Sequence, residues 1–418
     1  MKRLFIVSDM IDPSRGSEFR IALKPLLLLK DELLRYDKNI TLFVPVRNNN
    51  IENLKDWLKE EDILNVTVKA YKFQYQDDLG NHKNKYWFIK DLKAFYKHVR
   101  LSIPNTASES NVIFKSGQVN WFFYLLFLIF FKTQAKERVV CAPVSGFNYI
   151  KLSDCIGLSM HSKLYYRFYN LVIWFARQIF KTFYIFNKNY SFLFATKSDC
   201  QNFYSNDSDS KLYSEIEHNI TNKKELYGNS AGKNSHISFP QDSNVMLWSG
   251  HLVHRKNPIL ALQIITRLLE MNKNLTIFFV GEGPLDDDVK LLMNNSGLTI
   301  NDRFNYIPKL PRLEFLQLIK QVNYVLITSL REVNSMFFLE ALRENKFVFA
   351  LKNSGLQDFN LKNVSLIETK LCNTATKIAA FVNASLQIAY VETLAASESL
   401  NTRVVLEKNN LLNLLDSL

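Results

Sequence analysis

Short apolar runs, each followed by a polar turn and a stretch of helical period, recur along most of the chain. The opening "KRLFIVSDMIDPSRGSEFRIALKPLLLLKDELL" reads as a strand, a loop carrying Pro13 and Gly16, and a helix from about Glu18; "ITLFVPV" supplies the next strand. A strand–helix–strand order predicts a parallel sheet with helices on its faces. "NVIFKS", "RVVCAPVSG" and "FLFATKS" extend it as buried strands, with helices expected at Trp121 to Phe131 and at His161 to Asn187.

The period is lost over Thr221 to Ser243, a stretch rich in Lys, Asn, Ser and Gly, and then resumes. "VMLWSG", "LTIFFVG", "RFNYI", "NYVLITS", "KFVFAL" and "VSLIE" are expected strands, with helices from Pro258, Pro284, about Arg312 and Ser335 between them; the segment from Ala375 onward is mostly helical. The pattern predicts an α/β chain of two doubly wound, Rossmann-like domains. They occupy 1–222 and 244–390, joined by a linker at 223–243 and followed by a helical segment at 391–418 placed to pack back on the first domain. Two such sheets face each other across a cleft, and ligands of open α/β sheets bind outside the carboxyl ends of the strands.

A length of 418 residues with 47% hydrophobic content suits two cores. Leu4 to Val7 is too short an apolar stretch for a secretory signal. "WFFYLLFLIFF", Trp121 to Phe131, falls short of the roughly 20 residues that cross a bilayer, and reads as a buried helix or an interfacial segment. Cys141, Cys155, Cys200 and Cys372 have no ligand-like spacing, which fits a reducing, cytoplasmic compartment without structural zinc. Lys and Arg number 31 against 22 Asp and Glu in 1–222, and 21 against 18 thereafter, so the basic excess belongs to the first half. It suits an anionic small molecule or membrane, or simply a Lys- and Asn-rich composition. With no zinc-finger spacing, RNP motif or GxxG clamp, nucleic acid is not an expected partner.

Candidate chemistry gathers in four loops after strands of the second half. In "SGHLVHRKNP", Gly250 ends a strand and His251, His254, Arg255 and Lys256 crowd the turn, a cation set suited to a diphosphate or to solvent. In "VGEGPL", Gly281 and Gly283 permit close backbone approach before a helix, while Asp286 to Asp288 suit that helix's dipole and need no metal. In "REVNSMFFLEAL", Ser335 is an expected N-cap that puts Glu332 in the loop and Glu340 in the early turns, either as surface acids or as a pair that accepts ligand hydroxyls. In "NSGLQDF", Gly355 makes a turn that offers a backbone donor.

These loops, with "DRFNYIPKLPR", stand in an order and spacing that resembles the nucleotide-sugar-binding domain of glycosyltransferase family 4, a family of the two-Rossmann GT-B fold; the match runs from about Val245 to Phe359. The resemblance implies that Lys256 and Arg255 bind donor phosphates, that Glu332 lies beside the transferred sugar, and that Glu340 holds the ribose. The backbone at Ser335, Met336 and Phe337 would meet the diphosphate, and Gly250, His251, Gly281 and Gly283 would complete the donor site. The catalytic set is then Glu332, Lys256 and Arg255. More faintly, "DPSRGSE", with Gly16 and Ser17, and "CAPVSGF" resemble acceptor-side loops. The family implies retention of anomeric configuration, no metal or cofactor, a UDP-sugar or GDP-sugar donor, and a saccharide or lipid-linked saccharide acceptor in bacterial surface polysaccharide assembly.

Three positions depart from the family pattern. His251 stands where a second phosphate-binding Arg is usual, Val333-Asn334-Ser335 replaces a glycine-rich loop, and "FKSGQ", Phe114 to Gln118, lacks the usual His. They keep open a non-catalytic nucleotide-sugar-binding or partner protein, and a sugar-nucleotide epimerase of the same fold. Asp207-x-Asp209 reads as a solvated loop.

Two helices of the first half carry a basic face. Lys90, Lys93, Lys97 and Arg100 align in Lys83 to Arg100. In His161 to Asn187, Lys163, Arg167, Trp174, Arg177 and Lys181 lie opposite Tyr165, Phe168, Val172, Ile179 and Phe183. Such helices lie on an anionic surface, here the inner face of the cytoplasmic membrane, or else pack their apolar face on the sheet and leave Lys and Arg in water.

Overall fold

The computed structural model describes residues 3–8, 26, 40–46, 50–60, 63, 65–75, 85–104, 111–116, 121–134, 137–145, 149–201, 244–332, 335–352, 356 and 361–389. Gly16, Ser17, the loop after Ser116, Asp207, Asp209, Val333, Asn334, Gly355, the expected linker and the 391–418 segment lie outside them. The chain forms two compact units, Met1–Phe147 with Trp174–Glu215 and Val405–Leu418, and Asn148–Ile173 with Ile216–Val404.

The first unit is built on β1 (Arg3–Ser8), β2 (Ile40–Val46), β3 (Val66–Lys72), β4 (Asn111–Ser116), β5 (Glu137–Val144) and β6 (Tyr190–Phe194), all parallel in the order β3-β2-β1-β4-β5-β6. Its helices include α1 (Asn50–Glu60), α2 (Lys85–Ser102), α3 (Trp121–Phe130), the part of the long α4 (Met160–Phe186) from Trp174 onward, and α5 (Lys197–Gln201); the earlier turns of α4 belong to the second unit. Alternate strand residues feed two apolar layers. Phe5, Val7, Ile113 and Val139 meet Phe95 and Tyr96 of α2 and Phe127 of α3. Ile6, Leu42, Val112 and Val140 meet Leu54 and Leu58 of α1 on the other face. Every residue of β4 is therefore buried, as a strand covered on both sides requires.

The strand pattern above contains no β3. "VTVKAYK" alternates with polar residues because it is a sheet edge, half of which meets water, so it has no apolar run.

The face expected to pack inward in α4 is also corrected. Tyr165, Phe168, Val172 and Ile179 are exposed, Phe183 of that face packs half-buried against the core, and the buried positions are Tyr166, Ile173, Ala176 and Phe180. Periodicity sorts residues onto faces, but a helix apolar on two sides does not say which side is covered. In α2, Lys90, Lys93 and Lys97 are exposed, whereas Arg100 pairs with buried Glu137 at 2.5 Å and lies over the Phe131 ring. Tyr124, Leu126, Phe127 and Leu128 bury much of α3, and among the described residues no helix is long and apolar enough to cross a membrane.

The second unit repeats the plan with β7 (Asn244–Ser249), α6 (Pro258–Met271), β8 (Leu275–Val280), α7 (Asp286–Asn295), β9 (Phe304–Ile307), α8 (Arg312–Gln321), β10 (Tyr324–Ile327), α9 (Met336–Arg343), β11 (Phe347–Leu351), β12 (Val364–Ile367) and α10 (Ala375–Ala389). These strands too are parallel, in the order β12-β11-β10-β7-β8-β9. Both sheets thus place their first strand beside their fourth, with the chain winding away on either side. That junction is the topological switch point, where two successive loops diverge and leave a crevice at the carboxyl edge. In the second unit it lies between β7 and β10.

Candidate functional site

The loops that leave β7 and β10 bring three charged residues together at this switch point. After β7, the chain makes one 3-10 turn, His254–Lys256, and reaches Asn257, whose left-handed φ of 51° suits Asn better than most residues. The Asn257 side chain then accepts from the Leu260 N–H as the N-cap of α6 and donates to the Ile156 carbonyl at 3.0 Å. After β10, buried Thr328 accepts from Trp248 Nε1 at 2.9 Å, and its hydroxyl lies 2.9 Å from the Lys256 carbonyl and 3.1 Å from that of Asn257. The Leu330 N–H donates to the Arg255 carbonyl at 2.8 Å. The two loops are therefore fastened backbone to backbone before any charge is considered.

On that frame Lys256 Nζ donates to Glu332 Oε1, and Arg255 Nη1 stands 3.6 Å from Glu332 Oε2. Arg255 also donates to the Arg331 carbonyl at 3.2 Å. Glu332 is only 4% exposed. Burial pushes its carboxyl upward, but the Lys256 and Arg255 charges, with hydrogen bonds from Lys256 and Ser329, outweigh it and hold Glu332 below the ordinary Glu range. It is an anion at neutral pH. Arg331 turns the other way, donating to the Tyr169 hydroxyl at 2.6 Å with its guanidinium over the ring.

Ser335 caps α9, accepting from the Phe338 N–H at 3.4 Å, as its sequence position predicts. Met336 and Phe337 open the helix half-buried, and Glu340, 1% exposed, sits one turn further on. Its Oε1 accepts from Arg312 Nη2 at the start of α8. The positive end of the α9 dipole and the cations of the β7 loop suit an anion, and the two carboxylates suit neutral hydroxyls.

The glycines do allow close backbone approach, and here the backbone that approaches is the chain's own. A Cβ on Gly281 would lie 2.1 Å from the Gly250 carbonyl oxygen, and one on Gly283 would come within 3.0 Å of Leu252 backbone atoms and the His251 ring. The Leu252 N–H donates to the Glu282 carbonyl and the Leu285 N–H to the Leu252 carbonyl, so the β7 and β8 loops are zipped together. Glycine is needed here for loop-to-loop packing. His251 is exposed beside Gly283. Asp286 is held by Lys290 and by the Tyr306 hydroxyl, each at 2.5 Å, and among the described residues no cluster of His, Cys, Asp or Glu could hold a metal.

Arg312, Thr328, Asn257 and Tyr169 were not singled out in the sequence. Arg312 lies in the quoted "DRFNYIPKLPR", but its partner is 28 residues away. The other three act through backbone groups or a ring from distant segments, and no local spacing signals that.

Residues 233–395 match the family described as glycosyl transferases group 1. No curated protein matches the chain. Among solved structures, the chain is similar to HepE of Anabaena in complex with UDP and glucose, at 14% identity and a TM-score of 0.57 with both chains covered in full. It is also similar to an α,α-trehalose-phosphate synthase (UDP-forming) from Burkholderia vietnamiensis, at 11% identity and a TM-score of 0.60 over the full length of both. A glycosyltransferase from Rickettsia africae gives 13% identity and a TM-score of 0.54 over 99% of this chain and 97% of that one. With the two six-stranded parallel sheets, these likenesses establish the two-domain, Rossmann-like GT-B fold.

Proposed function

We propose that this protein is a glycosyltransferase that moves a sugar from a UDP-sugar, or alternatively a GDP-sugar, to a saccharide or lipid-linked saccharide acceptor. The observation that carries the reading is the Lys256–Glu332–Arg255 cluster at the β7/β10 switch point, immediately ahead of the capped N-terminus of α9. UDP in the HepE structure and the group 1 match over 233–395 support a nucleotide-sugar donor.

In this reading the donor diphosphate is received by Lys256, Arg255 and the N–H groups of α9, which neutralise the charge that grows on the leaving phosphate. Glu332 holds Lys256 in place and lies beside the transferred sugar, while Glu340 accepts the ribose hydroxyls once Arg312 yields one of its oxygens. The acceptor hydroxyl attacks, its proton passing toward the departing phosphate, and configuration is retained as in family 4. No metal or cofactor is assigned a part. The proposed setting is bacterial surface polysaccharide assembly, in the cytoplasm and peripheral to the inner face of its membrane.

The test is release of nucleotide from a panel of nucleotide sugars, with and without membrane lipid extract. Turnover of at least one donor is expected; tight nucleotide binding with no turnover of any donor would overturn the transferase reading in favour of a binding protein. Conversion of the donor to an epimer without acceptor would favour the epimerase. Glu332→Gln is expected to lower kcat by about 100-fold with little change in KM, and Glu340→Gln to raise donor KM by roughly tenfold. Equal, negligible effects would return both to ordinary buried acids.

A further inference from the structure

Leu164, Phe168, Leu171, Val172, Phe175 and Ile179 of α4 are all exposed, by between 37% and 65%. Their spacing puts them within an arc of about 100° on one side of the helix. A stripe at this period is what a core-facing helix shows, yet this one faces water, while Tyr166, Ile173, Ala176 and Phe180 on the far side form the buried contact. Exposure of large apolar side chains runs the length of the helix, from Met160 at 78% to Phe186 at 79%. A continuous apolar surface of this kind on a protein marks a binding face.

The charges of the same helix say what covers it. The 27 residues of α4 contain no Asp or Glu, and Lys163, Arg167, Arg177 and Lys181 form a basic row along one border of the apolar stripe. Trp174 lies on that border and Tyr165 on the opposite one, where amphipathic rings sit at the level of lipid headgroups. The helix is not apolar enough to cross a bilayer. A helix that is apolar on one side, basic at its edge, free of acid and rimmed by Trp and Tyr is suited to lie in the plane of an anionic lipid surface.

The geometry points to α4 as a membrane-docking helix that inserts its Leu164–Ile179 stripe among the acyl chains of an anionic bilayer, with its basic border against the headgroups. This rests on the peripheral-membrane reading above and changes its basis. Apolar insertion makes the contact, and the basic residues select the lipid.

The experiment uses the full chain in three forms: unaltered, with Phe168→Ser and Phe175→Ser together, and with Lys163→Gln and Arg167→Gln together. Each is co-sedimented with vesicles of phosphatidylcholine alone or mixed with phosphatidylglycerol. A fourth form, Phe168→Cys in a Cys372→Ser background, carries an environment-sensitive fluorophore; the other cysteines are buried. Binding to the mixed vesicles, a loss of roughly tenfold or more in the Phe pair, a smaller and salt-dependent loss in the basic pair, and a blue shift of the label on the mixed vesicles are expected. Because Phe168, Phe175 and Arg167 are exposed and Lys163 and Cys372 only half-buried, thermal unfolding close to that of the unaltered chain and unchanged nucleotide binding are expected in all forms.

Binding by the unaltered chain that the Phe pair does not weaken would overturn the assignment of α4 while leaving the peripheral reading intact. No binding to either vesicle would overturn both, with donor turnover still testing the transferase reading separately. A label already blue-shifted without lipid would overturn the proposal in favour of another cover. That cover is a second copy of the chain if the shift depends on protein concentration, and a segment of the same chain if it does not.

Discussion

At Gly281 the choice of residue is decided by backbone alone, since any side chain would begin inside the carbonyl oxygen of Gly250. Gly281→Ala is expected to lower stability by about 2–4 kcal/mol, because neither loop is a flexible side chain that can step aside. Denaturant unfolding measures it, and a midpoint unchanged from the parent would show that the β7 and β8 loops part easily. Legibility differed from residue to residue in this region. Lys256, Arg255 and Glu332 stood out as candidates because they lie in loops after strands, where open sheets bind ligands, although solvent was an equal use for them. Gly281 was visible as a site of close backbone approach but its partner was not, since the atom it avoids comes from a loop about thirty residues earlier. Arg312 was invisible as the partner of Glu340, because the pair joins the start of one helix to the second turn of another.

Among the elements, α9 joins stability to ligand chemistry at one end. Ser335→Ala removes the cap and is expected to cost about 1 kcal/mol. Ser335→Asp keeps a capping oxygen and adds a negative charge where the diphosphate is proposed to lie, so stability is expected to hold while donor affinity falls by roughly tenfold. Thermal unfolding and nucleotide titration of both variants separate the two roles, and an Asp variant that binds donor normally would place the phosphate elsewhere. Most strands of both sheets were legible because burial on both faces writes a continuous apolar run, as in "NVIFKS" and "LTIFFV". The edge strand β3 was not, because its outer positions meet water and its sequence alternates. In α4 the residue faces were correctly grouped, but two of its sides are apolar, and only the packed structure shows that Ile173 and Phe180 turn inward.

For the molecule as a whole, the second unit draws on a distant stretch, Asn148–Ile173, of the chain's first half. Ile150, Cys155, Leu158 and Tyr166 pack with Leu330, and buried Asp154 accepts from the Thr369 hydroxyl. Burial raises the Asp154 carboxyl above its ordinary value, with hydrogen bonds from Thr369 and Ser153 opposing the rise. An acid with a higher folded than unfolded pKa holds its proton longer when folded, so its contribution to stability declines as pH rises above the ordinary Asp range. Asp154→Asn keeps an acceptor and removes the charge. The variant is expected to be about 1 kcal/mol more stable at neutral pH, the gain shrinking toward pH 4, and unfolding curves between about pH 4 and pH 8 would show it. Such a link between segments more than two hundred residues apart has no local signature, whereas the repeated α/β plan was plain from periodicity.

The strand order also governs how the proposed donor site comes into being. Lys256 and Glu332 are 76 residues apart, and they meet only when β10 takes its place against β7, the most distant pairing in sequence within that sheet. Neighbours such as β7 and β8 close short loops and can pair early, but the central pair must wait for the intervening strands and helices. A nascent chain released short of β10 would hold the cations without their carboxylate, so the proposed nucleotide binding would report a finished domain and no fragment of it.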